Sequence, residues 1–152
     1  MARASSGFTM VELMIVVAIA GILLALAAPS FTESMGRRRL EGVANELRAD
    51  LHFAKSQAAS SNTSVSLVTT TSGYTISNSG TTFKQATLDS TVRVTNAATI
   101  TFEPYRSFAT ASASITISQD RTAATLKVST DAMGRIQLCS PGGTIQGYTT
   151  CP

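Results

Sequence analysis

Histidine is nearly absent from this 152-residue chain, His52 being the sole one. Cysteine occurs twice, as Cys139 and Cys151, and charged residues make up only 14% of the sequence. These shortages remove several classes of chemistry. A lone histidine near Asp50 and Lys55 on a helical stretch has no companion for general-base work, and it reads as a surface or interface residue. Two cysteines without further His or Cys ligands do not make a zinc site. Neither a Gly-rich phosphate loop ending in Lys-Ser/Thr nor a nucleophile elbow occurs. No catalytic residue, metal or cofactor is therefore expected, and the chain reads as something other than an enzyme. The net charge of +3 hints at an anionic partner, but from position 61 onward six Lys or Arg stand against four acids. That excess is too small to diagnose nucleic-acid binding by itself.

What is present falls into two unlike halves. Up to position 59 the chain is rich in Ala, Leu, Val, Glu and Arg, whereas from Ser60 onward Thr, Ser, Ile and Val dominate. The length leaves room for one domain plus an accessory element. Across residues 8–28 only Thr9 and Glu12 are clearly polar. A helix of that length spans roughly 31 Å and matches a bilayer core. Because the segment is apolar on all sides, it is not one stripe of a soluble helix but reads as a membrane anchor. A secretory signal removed after Ala28, at "ALAAPS", is the alternative. Against it, the apolar run is long and the helical pattern resumes beyond Pro29. Glu12 costs about 2.5 to 3.5 kcal/mol at a membrane centre and less near a helix end, so it requires a partner or must snorkel to the headgroups.

Gly7-Phe8-Thr9-Met10-Val11-Glu12-Leu13, followed by the apolar stretch ending in Ala28-Pro29, resembles the class III leader and N-terminal helix of type IV pilins and pseudopilins. The resemblance implies that a prepilin peptidase removes residues 1–7 by cutting after Gly7 and methylates Phe8, the new N-terminal residue. It implies that Glu12 attracts the free Phe8 amine of a neighbouring subunit. Opposite charges about 4 Å apart gain roughly 4 kcal/mol at an effective dielectric near 20. That gain is comparable to the insertion cost, so the pairing would set the axial register between subunits. The implied partners are other major and minor pilins, the peptidase and the inner membrane, with a single pass and the head in the periplasm, extracellular once in the pilus. Arg37-Arg38-Arg39 run against this orientation, because a count of basic residues alone would place the C-terminal side in the cytoplasm. They read as a solvated helix face, or as facing a filament neighbour or phospholipid headgroups.

In residues 29–60, Leu40, Val43, Ala44, Leu47, Leu51, Ala54 and Ala58 recur at three- and four-residue steps, the spacing of one helix face. Pro29 should kink or locally melt this helix, and a stop is expected around Ser60-Ser61-Asn62. Residues 61–152 offer eight alternating runs: "SVSLVT", "GYTIS", "TFKQATL", "VRVTN", "TITFEPY", "SITIS", "ATLKVST" and "RIQLC". Such alternation reads as half-buried antiparallel strands. The fold class expected is α+β: a long membrane-anchored N-terminal helix packed on an antiparallel β-sheet head, as in pilins. The many short strands and the ending "MGRIQLC" resemble the GspH/FimT branch.

Cys139 and Cys151 enclose "SPGGTIQGYTT". In an oxidising compartment the pair should form a disulfide, worth roughly 3 kcal/mol by loop-closure entropy. DNA-uptake minor pilins of the FimT type carry a Gly-Arg-x-Arg motif near the C-terminus. Gly134 and Arg135 match it, while Gln137 replaces the second arginine. Arg135 and Lys127 are the candidate DNA contacts, since phosphate contacts need only positive charge. The resemblance thus implies a minor pilin of FimT/FimU type that enters the pilus tip or the assembly-priming complex. An H-like pseudopilin of type II secretion and a DNA receptor for natural transformation are the alternatives.

Overall fold

The computed structural model describes residues 7–105, 108–120, 122–143 and 145–151, with Pro29 described by its backbone only. Residues 1–6 of the expected leader lie outside the described residues. The chain divides into two compact units, residues 1–35 and 36–152.

One helix, α1, runs over Met10–Ser61. In the first unit its large apolar side chains are exposed, Ile15, Leu23 and Leu26 among them. By length and composition α1 is able to cross a membrane. The helix does not melt at Pro29. A proline forfeits one amide donor, and the flanking Ala27 and Ala28 are strong helix formers. The Ser30 hydroxyl donates to the Ala27 carbonyl one turn back at 2.9 Å, adding a bond beside that gap. At the other end the Ser61 hydroxyl donates to the Gln57 carbonyl at 2.7 Å, and Asn62 takes a left-handed φ of 52°. Asparagine tolerates that conformation, which turns the chain out of the helix.

The second unit is the head. Here α1 buries Leu40, Ala44, Leu47, Leu51, Ala54 and Ala58, with Val43 packed at their margin. Against that stripe lie β1 (Val65–Thr70), β2 (Gly73–Ser77), β3 (Thr82–Thr87), β4 (Val92–Val94), β5 (Thr99–Phe102), β6 (Ala113–Gln119), β7 (Thr125–Thr130) and β8 (Ile136–Cys139). Each of the eight alternating runs overlaps one of these strands, with β1 reaching one residue past its run to Thr70 and β6 extending to Ala113 and Gln119 on either side of its own. The run "TITFEPY" stops early, at Phe102, because Pro104 has no amide hydrogen for a ladder. Glu103 N–H instead donates to the Phe108 carbonyl at 2.9 Å, closing a turn.

The strands make the expected antiparallel head as two sheets of four, in the orders β3-β2-β1-β5 and β4-β6-β7-β8. The division arises at β4. Val68 of β1 faces Thr99 of β5, while β4 leaves that sheet and aligns Val94 with Ile117 of β6. The Asn96 side chain prolongs the second ladder by donating to the Ser114 carbonyl at 2.7 Å and accepting the Thr116 N–H. Inward residues of both sheets, such as Leu67, Ile76 and Ile100 from one and Ile115, Ile117 and Leu126 from the other, meet the helix stripe in one core.

Candidate functional site: the N-terminal motif and an outer groove of the head

Glu12 lies in the first turn of α1. Its backbone N–H donates to the Thr9 hydroxyl at 3.2 Å, and its carboxylate accepts the Thr9 N–H at 3.5 Å. This reciprocal pair is a capping box, which satisfies two of the amide donors that a helix start leaves open. The carboxylate is thereby turned back toward Phe8, whose side chain is 81% exposed. Thr9 is thus a functional residue beside the predicted Glu12, and its signal in the sequence is the spacing Thr-x-x-Glu ahead of an apolar run.

In the head, the loop between β7 and β8 brings two basic residues to one face. Gly134 adopts a φ of 70°, a left-handed conformation that glycine enters without a Cβ penalty. Its N–H donates to the Asp131 carbonyl at 2.9 Å, and the Arg135 N–H donates to Asp131 Oδ1 at 2.8 Å. The Lys55 ammonium of α1 clamps the turn by donating to the Gly134 carbonyl at 2.9 Å. Arg135 is left with a 70% exposed side chain, its guanidinium 3.9 Å from Asp131. On β7, Ser129 pairs with Gln137 and Lys127 with Cys139, so these side chains share the outer face. Together Lys127, Ser129, Asp131, Arg135 and Gln137 line an open groove of about 380 Å³. Two cations, an amide and hydroxyls suit an anionic, hydrogen-bond-accepting ligand. Asp131 reduces the field, and Gln137 supplies an amide where a second arginine would have added charge.

Cys139 and Cys151 are joined, with sulfurs 2.06 Å apart. The bond returns the tail to the end of β8, where Ser140 N–H donates to the Thr149 carbonyl at 2.9 Å. His52 is exposed on α1. Among the described residues, no group of three or more His, Cys, Asp or Glu is placed to hold a metal ion.

Asp50, in sequence a neighbour of His52, is 7% exposed inside the head. Tyr74 Oη donates to its Oδ2 at 2.5 Å, and Lys84 Nζ lies 2.7 Å from that oxygen and 3.3 Å from Glu46. Burial, reinforced by the Asp50 hydrogen bond and charge, pushes the Tyr74 phenol far above its ordinary range. The hydrogen bond to Asp50 raises Lys84, against a smaller opposing effect of burial. A phenol that keeps its proton and an ammonium that keeps its charge do not exchange protons at neutral pH. The cluster therefore fastens β2 and β3 to α1. Its signal in the sequence was an acid three residues after Leu47 and four before Ala54, in phase with the buried stripe.

Residues 43–134 match the family model described as type II transport protein GspH, and residues 2–28 match the prokaryotic N-terminal methylation motif. The type IV major alpha-pilin and fimbrial protein Q of Moraxella bovis, and a fimbrial protein of Pseudomonas aeruginosa, are each 45% identical over 47 residues. That match covers 31% of this chain and 30% of each relative, so the chain spans less than a third of the length of these curated proteins. Two crystal structures of the type IV minor pilin FimU of Pseudomonas aeruginosa share the fold. One superposes with a TM-score of 0.58 at 24% identity, covering 73% of this chain and 96% of FimU. The other gives 0.55 at 23% identity, covering 67% and 97%. With a GspH model over most of the head, a methylation motif over the anchor and the fold of a minor pilin, the chain belongs to the GspH family of type IV pilin-like proteins.

Proposed function

We propose that this chain is a minor type IV pilin that enters the pilus tip or the complex that primes pilus assembly. In this reading the prepilin peptidase cuts after Gly7 and methylates Phe8, residues 8–28 hold the subunit in the inner membrane, and the head stands in the periplasm until incorporation. One observation carries the reading: a carboxylate held in the first turn of α1, at the head of an otherwise apolar stretch, up to Ala28, whose large side chains are exposed. Such a charge in hydrocarbon is costly unless it is paired or reaches the headgroups, and the Phe8 amine of a neighbouring subunit is the cation the processed motif supplies. Glu12→Leu and Glu12→Ala should lower the amount of chain in sheared pili several-fold while leaving the head folded, read by immunoblot and circular dichroism. Normal incorporation of both variants would refute the register role. A pseudopilus component of type II secretion is the second reading, supported by the GspH match. Neighbouring genes for minor pilins or for secretion components separate the two.

The groove adds a DNA-contact reading, because Lys127 and Arg135 line it together. Two phosphate contacts give a log-log salt slope near −1.8, so affinity should fall roughly tenfold between 50 and 200 mM salt. Titrating the full chain in detergent micelles with duplex DNA tests this. Arg135→Gln should reduce the slope by about one unit, and no binding at 50 mM salt would eliminate DNA as the ligand.

A further inference from the structure

We infer that Lys55 is the positioning residue of the outer groove: by pinning the Gly134–Arg135 peptide to α1, it presents Arg135 to the same ligand as Lys127. The functional consequence rests on the DNA-contact reading above, while the pinning is read from geometry alone. Arg135 ends the turn between β7 and β8, in which Ala132 and Met133 are exposed. Exposed loop tips are the mobile part of a domain unless something ties them down. The ladder carries this hairpin only as far as Thr130 opposite Ile136. Within the turn the ties are local, from Gly134 N–H to the Asp131 carbonyl at 2.9 Å, from Asp131 N–H to the Arg135 carbonyl at 3.2 Å and from Arg135 N–H to Asp131 Oδ1 at 2.8 Å. Lys55 supplies a tie from outside the hairpin. From 79 positions away in sequence, its Nζ donates to the Gly134 carbonyl at 2.9 Å.

The peptide unit joining Gly134 to Arg135 is thus held at both polar atoms by side chains, its oxygen by Lys55 and its N–H by Asp131. With that unit fixed, the Arg135 backbone keeps one orientation and its side chain leaves from one place on the groove wall. Gly134 is buried, so its carbonyl needs a partner, and an ammonium makes a charge-assisted bond stronger than a neutral one. The support is firm, because Lys55 follows Ala54 in a helix whose Leu51, Ala54 and Ala58 are fully buried. Lys55 itself is not among the residues lining the groove, whereas Lys127 and Arg135 are. It therefore acts through Arg135 and not on the ligand. A cation oriented in advance spares the complex the cost of ordering it on binding.

The test compares the full chain in detergent micelles with Lys55→Met, Lys55→Arg and, as a control for lost charge on the same helix, Arg48→Met. Amide exchange of Gly134 and Arg135 is measured beside duplex DNA affinity and its salt slope. Lys55→Met should speed exchange at 134 and 135 by roughly ten- to a hundredfold, the worth of a hydrogen bond to a charged group, while β6 and β7 stay protected. Affinity at 50 mM salt should fall about three- to tenfold, the cost of ordering one long side chain, with the slope kept. Lys55→Arg, which retains charge and donor, should recover most of both effects, and Arg48→Met should show neither. Unchanged exchange at 134 and 135 would overturn the inference, as would an equal rise throughout β6 and β7. A slope lowered by about one unit would make Lys55 a phosphate contact instead, and an equal affinity loss in Arg48→Met would reduce its effect to net charge. If the unaltered chain binds no duplex, the DNA reading falls, and the exchange at 134 and 135 alone decides whether Lys55 positions Arg135.

Discussion

Asp50→Ala is expected to destabilise the head by about 3 kcal/mol, through the loss of a buried, hydrogen-bonded carboxylate. The substitution removes the acceptor of the Tyr74 hydroxyl and the closest counter-ion of Lys84, and it leaves a phenol that is 3% exposed without its partner. Desolvated groups stripped of one partner cost more than the pair contributed, so Asp50→Leu combined with Tyr74→Phe should recover part of the loss. Denaturant unfolding of the full chain in micelles measures both. A pair of variants as unstable as Asp50→Ala alone would contradict the pairing argument. The sign of the pH dependence follows from the upward shifts of Tyr74 and Lys84. The folded state retains protons that the unfolded chain releases near pH 10, so the cluster's contribution is complete below that range and is lost as pH rises beyond it.

Gly73→Ala should cost about 1–3 kcal/mol, the range for forcing an extra carbon into a packed site. A Cβ at Gly73 would lie 2.5 Å from the Ala86 carbonyl oxygen, with the Ala86 carbonyl carbon and Thr87 Cα both at 3.5 Å. All three are backbone atoms of β3, so relief requires separating the β2–β3 pair rather than turning a side chain. That pair places Tyr74 opposite Ala86 and Ile76 opposite Lys84, and the damage therefore reaches the Asp50 cluster. Gly73→Ala and Asp50→Ala should then be less than additive when combined. A double variant whose loss equals the sum of the two would show that the strand pairing and the cluster are independent.

The helix and strands were legible because each has one dominant period. Leu40 through Ala58 recur at helical spacing, and runs such as "SITIS" alternate with a period of two, patterns that report burial directly. The partition of the strands was not legible. Nothing local in "VRVTN" says that β4 pairs with β6 across an intervening strand, because pairing depends on long-range packing. Asp50 was hidden for a related reason: an acid on a helix reads as solvated unless the tyrosine and lysine that meet it from other elements are known. The meeting of Lys127 and Arg135 needed the β7–β8 register, which sets both on one face. The left-handed φ of Gly134 explains the Gly-Arg pair as turn geometry, a physical reason for the glycine that holds whatever the groove binds.

The order of strands also bears on how the head folds. β1, β2 and β3 form one meander and β6, β7 and β8 another, each from hairpins that close on a timescale of about 1–10 μs. The pairing of β1 with β5, by contrast, must bring together Val65 and Phe102, and such distant contacts carry the loop-closure cost that slows folding. Two meanders forming early and joining late, over the buried stripe of α1, is the expected sequence of events. During that interval the first-formed sheet has an unpaired β1 edge, and the arrival of β5 closes it before another chain can add a strand there.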